Sequence, residues 1–97
     1  MLFQVSYSGR LSTEASDKRV MQVFSNWKPP GGLEIKCHYM RPDGGGFLVI
    51  EVNSVAPIIE SIAPFATYLD YEVTPIADVS EGVPALNRAF AWRDTVR

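Results

Sequence analysis

Trp27–Val52 reads WKPPGGLEIKCHYMRPDGGGFLVIEV, and its punctuation decides the fold. Pro29-Pro30-Gly31-Gly32 forbids helix, because proline lacks an amide proton and clashes with the preceding turn. Leu33, Ile35, Cys37 and Tyr39 then alternate with Glu34, Lys36, His38 and Met40, the period-two mark of a half-buried strand. Arg41-Pro42-Asp43-Gly44-Gly45-Gly46 is turn chemistry, and Phe47–Asn53 reads as a second, more apolar strand. The block is a hairpin that follows a helix end.

Outward from the hairpin, the upstream residues Val20, Val23, Phe24 and Trp27 fall at i, i+3, i+4 and i+7, one apolar stripe of a helix. Ser12 or Thr13 can cap that helix, with Glu14 in its first turn. Before it, Phe3, Val5 and Tyr7 alternate with Gln4 and Ser6, as in a strand. Downstream, Val55, Ile58, Ile59 and Ile62 repeat the helical spacing behind a Ser54 cap, with Pro57 in the first turn and Pro64 ending the element. Asp70–Ala77 reads as a fourth strand, and Ser80 opens a C-terminal helix over about 80–95.

Strand, helix, strand, strand, helix, strand, helix is the βαββαβ order of ferredoxin-like α+β folds with one added helix. Right-handed crossovers put both inner helices on one face of a four-stranded antiparallel sheet, in spatial order 4-1-3-2. Strands two and four are then the edges, where Pro75 can sit without breaking the ladder. The chain reads as a single domain over residues 1–97.

Parity predicts the faces. Pairing Arg41 with Gly46 leaves a four-residue loop and sets Lys36 opposite Glu51, an opposite-charge pair. Phe3, Val5, Tyr7, Leu33, Ile35, Cys37, Tyr39, Leu48, Ile50, Val52, Tyr71 and Val73 then lie under the helices. Lys36, His38 and Glu51 fall on the opposite, mixed face with Gln4, Ser6 and Phe47. Positive φ angles in the turn account for Gly44 to Gly46.

Nine basic and eleven acidic residues in 97 give a net charge of −2 with no basic stripe, which argues against nucleic acid as a partner. No apolar run approaches the ~20 residues of a membrane span. The single Cys37 excludes an intrachain disulfide and fits a cytoplasmic, soluble and unprocessed protein with a buried, inert thiol. No zinc-ligand spacing and no phosphate-binding glycine motif occurs, so neither metal nor cofactor is expected.

His38, the one imidazole, is where any general-base mechanism starts, although its ordinary reading is a surface histidine. Trp27, Tyr39, Phe65, Tyr68, Tyr71, Phe90 and Trp92 are the aromatic material for a pocket between helices and sheet. The candidate ligand-binding set is therefore Trp27, Tyr39, His38, Lys36 and Glu51. In the C-terminal helix, Val79, Val83, Leu86 and Phe90 form one stripe, and Ala85, Ala89, Trp92 and Val96 a second about 120° away. One stripe suffices to dock on the domain, and the second suggests contact with another subunit.

Pro29-Pro30-Gly31, the Asp43-Gly44 turn, Gly46-Phe47, Glu51 and Asp70-Tyr71-Glu72-Val73-Thr74-Pro75 together resemble the DUF3303 family, over roughly residues 1–80. The resemblance implies a ferredoxin-like domain similar to dimeric α/β-barrel proteins, and it brings no activity or site residues with it. The functional expectation is a homodimer that binds a small molecule or a protein partner without catalysis. The alternatives are a cofactor-independent monooxygenase- or isomerase-like enzyme, and a structural role through the C-terminal helix.

Overall fold

A computed structural model describes residues 1–10 and 13–97. Its elements are β1 (Leu2–Gly9), α1 (Glu14–Asn26), β2 (Leu33–Met40), β3 (Gly46–Val52), α2 (Ala56–Ile62), a 3-10 turn (Ala63–Phe65), β4 (Leu69–Ile76) and α3 (Val79–Arg93). The four strands form one antiparallel sheet in the order β2-β3-β1-β4, which from the other edge reads β4-β1-β3-β2. Both α1 and α2 turn side chains toward the same sheet face, where Val20, Phe24, Ile58 and Ile62 meet Val5, Leu48 and Ile50. The chain is thus an α+β protein with an open antiparallel sheet and three helices.

Local chemistry explains most of the boundaries. Thr13 caps α1 through a reciprocal box: its hydroxyl accepts from Ser16 N at 3.1 Å while Ser16 Oγ accepts from Thr13 N at 3.2 Å. The other candidate cap, Ser12, lies outside the described residues. Trp27 leaves helical backbone (ψ 139°), and the two prolines that follow at Pro29 and Pro30 keep the chain from resuming it. Gly32 then takes φ 82°, a conformation that side chains disfavour, and launches β2.

Two caps differ from expectation. Val55, in helical conformation, occupies the N-cap of α2 without a side-chain bond; Pro57 in the first turn has already removed one donor that Ser54 could have served. At α3 the cap is Asp78, whose carboxylate accepts from Ser80 N at 2.8 Å, so the helix opens at Val79 rather than Ser80. Those bonds from Ser80 also hold the Asp78 pKa below the usual carboxylate value.

The hairpin carries the main correction. Arg41 N donates to Gly45 O at 2.7 Å and Gly44 N to Arg41 O at 3.0 Å, leaving a three-residue loop, Pro42-Asp43-Gly44. Gly44 alone of the triplet has positive φ (88°), as the left-handed residue of such a loop requires. The bond from Gly45 N to Asp43 Oδ1, 2.8 Å, adds an Asx-type closure and is the main reason the Asp43 pKa is lowered. A loop one residue shorter than expected shifts the pairing by one: Met40 opposes Gly46, Tyr39 opposes Phe47 and His38 opposes Leu48. Every β2 side chain next to the turn changes face.

A bulge then restores the parity of the faces but not the expected register. The pairing jumps between Ile35 and Cys37, so Ile35 opposes Ile50 and Leu33 opposes Val52, each two positions from its expected partner. His38 and Met40 consequently join the helix side, while Cys37 and Tyr39 leave it. Tyr39 is 62% exposed and packs against Phe47 (ring centroids 5.7 Å), and Cys37 is half-buried opposite Val49. The expected Lys36–Glu51 pair does not form. Glu51 opposes Glu34 and binds the Met1 ammonium at 2.6 Å, and Lys36 reaches Glu34 at 3.2 Å.

The core is thin. Val5, Ile50, Val52 and Ile58 form its buried centre, supported by Phe3, Leu33, Ile35, Leu48, Ile62 and Tyr71. α3 adds nothing to it: apart from half-buried Gly82, every α3 residue is exposed, and the expected docking of one stripe on its own domain does not occur. Its direction follows from an extended Asp78 (ψ 147°) only two residues beyond β4. The molecule measures 60 × 28 × 18 Å, with a radius of gyration of 17.5 Å against the ~12.5 Å of a compact chain of this length.

Gly46 has a steric role. A Cβ there would strike the Tyr39 carbonyl and the Tyr7 ring, 2.8 Å from Cζ. Gly46→Ala should lower stability in urea unfolding by about 1–3 kcal/mol. Gly31→Ala, where a Cβ meets nothing within 4 Å, should stay within about 0.5 kcal/mol. Equal effects of the two substitutions would remove the steric argument.

Candidate functional site

Between the helices and the sheet lies a cavity of about 170 Å³. Val20, Phe24 and Trp27 of α1, Ile58 and Ile62 of α2, and Phe65 wall it on one side. Val5, Leu48 and Ile50 form the sheet floor, with Tyr7, His38 and Tyr71 along one part of the lining. The spacing that makes α1 amphipathic also aims these rings inward, and the bulge in β2 lets His38 and Ile35 line the same space. Almost the whole lining is hydrocarbon.

The rings form a contiguous series. Trp27 and Phe65 meet edge to face (6.0 Å), and Phe24 touches Trp27 (6.3 Å), Phe65 (6.5 Å) and the His38 ring (6.2 Å). His38 meets Tyr7 at 5.7 Å, and Tyr7 meets Tyr71 at 6.1 Å. Such edge and tilted contacts suit the aromatic quadrupole and add stabilisation beyond burial.

One side-chain hydrogen bond marks the polar part of the lining. Tyr7 Oη and His38 Nε2 are 2.7 Å apart. Desolvation lowers the His38 pKa, so the imidazole is neutral at pH 7. Burial raises the Tyr7 pKa, against an opposing effect of the Arg41 charge. Tyr71 is pushed up to about 12, first by burial and then by its neighbour Tyr7. All three groups are therefore uncharged at neutral pH, and the imidazole tautomer sets the direction of the bond: the Tyr7 phenol donates where the proton sits on Nδ1, and accepts where it sits on Nε2. The Arg41 guanidinium stands behind Tyr7, donating to its carbonyl oxygen at 3.1 Å.

Of the candidate residues, Trp27 and His38 line the cavity, as do Phe65 and Tyr71 from the wider aromatic set. Tyr39, Lys36 and Glu51 do not: the turn sends Tyr39 to the opposite face, and the other two engage Glu34 and the amino terminus. Phe90 and Trp92 lie on the exposed α3. Sequence reasoning placed Tyr7 under the helices but missed it as a polar site residue. The signal was Gly46 directly across from it, where a missing side chain leaves room for the ring. Among the described residues no three His, Cys, Asp or Glu side chains converge as a metal site would require, and no helix is long and apolar enough to cross a membrane.

The chain belongs to the DUF3303 family, a domain of unknown function, whose match spans residues 1–90. No curated protein matches it.

Because the folded chain holds His38 neutral, its protonation favours unfolding. The unfolded state gains its proton first as pH falls past ~6.5, so the His38 contribution to stability is lost between there and the lowered folded value. NMR should report a His38 pKa below ~6.5. The stability difference between wild type and His38→Leu should shift against wild type as pH falls from 7 to 5. A titration at or above ~6.5 would refute the desolvated placement.

Proposed function

We propose that this member of the family binds a small, mostly apolar molecule of about one aromatic ring, with a neutral hydrogen-bonding head against Tyr7, His38 and Tyr71. The observation that carries this reading is the Tyr7–His38 hydrogen bond in the lining of a mostly hydrocarbon cavity, whose other hydroxyls are those of Tyr71 and of Ser61, the latter donating to Pro57 O. The volume is close to the ~150 Å³ of apolar cavities that take up benzene. The polar part offers donors and acceptors but no fixed charge, which favours a phenol or amide over a carboxylate. A ligand sets its orientation by few polar contacts and its affinity by apolar burial, as the lining supports.

A second reading keeps the same pocket and adds chemistry. A neutral imidazole beside a phenol is a competent proton acceptor at neutral pH, which favours a cofactor-independent enzyme of the monooxygenase or isomerase kind with His38 as general base. The βαββαβ order and the sheet pairing support the ferredoxin-like assignment and its kinship with dimeric α/β-barrel proteins. Self-association is part of the proposal, supported by the unburied apolar surface of α3, and the lone Cys37 supports a cytoplasmic setting.

Phenol tests the pocket reading. Titrated into the protein, it should shift the His38 and Ile62 resonances with a dissociation constant around millimolar, as ligand efficiency allows for so small a molecule. Benzoate should bind at least tenfold more weakly, and Ile62→Phe, which fills the cavity, should abolish the phenol shifts. Equal binding of phenol and benzoate would overturn the neutral-head argument. Absence of any shift at tens of millimolar phenol would overturn the pocket reading.

A further inference from the structure

α3 is a helix that its own domain does not support. A lone helix of 15 residues is marginal in water even with favourable composition, and this one contains Gly82 and Pro84. Pro84 removes an intrahelical bond from the interior of the helix. At 100° per residue, the arc from Trp92 through Ala89 and Leu86 to Val83 covers about half the circumference and is apolar but for Arg93. Arg93 itself lies over the Phe90 ring at 4.9 Å. Val79 is 76% exposed, Leu86 55% and Trp92 70%. Such a helix persists by packing on something.

The body has a matching deficit. Outside the cavity, a groove between α2 and β4 is lined by Phe3, Val55, Ile59, Ile62, Ala63 and Val73. Val55 and Ile59 are each 61% exposed, one helical turn apart on α2. β4, which forms one wall, is the edge strand that leads into α3 through Ala77-Asp78. The extended backbone and side-chain cap at Asp78 carry the helix away from its own groove.

We propose that α3 is an exchange arm: in a two-fold dimer it packs its apolar face into the α2–β4 groove of a second copy of this chain. Two unlike apolar surfaces on one chain, helix and groove, close as a pair under two-fold symmetry, so that each protomer gives one arm and receives one. A short hinge that prevents the element from folding back is the usual setting for such exchange. The area is sufficient. The exposed apolar side chains of one arm and one groove bury on the order of 800 Å² per protomer, the size of a stable protein interface. Pairing of α3 with α3 alone would leave the groove uncovered.

The inference rests on the self-association in the proposed function and is independent of the pocket. Light scattering on the full chain at about 50 µM should give twice the 10.8 kDa of one chain. Leu86→Glu on the arm and Ile59→Glu in the groove should each give monomers with a folded body, both positions being exposed in the single chain, with a circular dichroism that loses only the ellipticity of the α3 helix that no longer packs. An equimolar mixture of the two variants should recover dimer, since one arm and one groove remain intact between them. A wild-type monomer overturns the arm and self-association together while leaving the phenol result standing. A dimer that survives Ile59→Glu but not Leu86→Glu overturns the groove and assigns α3–α3 pairing. Two monomeric variants that fail to complement overturn reciprocal exchange.

Discussion

The placement of His38 depends on the length of one turn. With Pro42-Asp43-Gly44 as a three-residue loop, Gly44 supplies the left-handed residue that closes it, and β2 meets β3 one position away from the simple alternation of apolar residues. Left uncorrected, that shift would drive Leu33 and Ile35 out of the core. Burying a large aliphatic side chain is worth about 1.5–3 kcal/mol, so the bulge between Ile35 and Cys37 is the cheaper solution. Turn and bulge together separate β2 into two segments of opposite parity. The first builds core, and the second delivers His38 and Met40 to the cavity while Tyr39 goes outside.

Around that strand the glycines divide the labour. Gly44 satisfies the turn, and Gly46 leaves space for Tyr7 to lie across the sheet toward His38. Between them, Gly45 accommodates Arg41, whose guanidinium crosses to the Tyr7 carbonyl. What reads in sequence as one flexible triplet is three separate constraints, two of which shape the polar part of the cavity. An apolar occupant that binds the folded chain in this space and not the unfolded one stabilises the fold as it binds.

The elements were legible because their signals are local. Proline pairs, a capping hydroxyl at Thr13 and the 3.6-residue stripe of α1 each act over a few residues, and the order of elements constrained the sheet topology. The site was legible only in part. Trp27 and Tyr71 follow from periodicity, since helical spacing holds through α1 and alternation through β4, whereas Phe65, in the 3-10 turn, was legible only as an aromatic. Tyr39 and His38 exchange faces because register is a sum over turn length and bulge, and nothing in LEIKCHYM announces where an extra residue is accommodated. The reading of Lys36 against Glu51 failed for the same reason. The two apolar stripes of α3 were visible, but whether a helix docks on its own domain depends on the backbone direction at Asp78, which composition does not encode.

One element joins the two proposals. Ile58 and Ile62 of α2 border both the cavity and the outer groove, so this seven-residue helix is a thin partition between a ligand space and an arm space. It lacks a side-chain cap and ends in a 3-10 turn at Pro64, leaving packing as its main support. On the proposed exchange, an arm pressed against Val55 and Ile59 would hold α2 from outside while a ligand holds it from within. Each would reduce the ordering left for the other to supply, and any such coupling is reciprocal by linkage. On the two proposals, the contacts that would complete the support of α2, a ligand within and an arm outside, both fall on that one helix through Ile58 and Ile62.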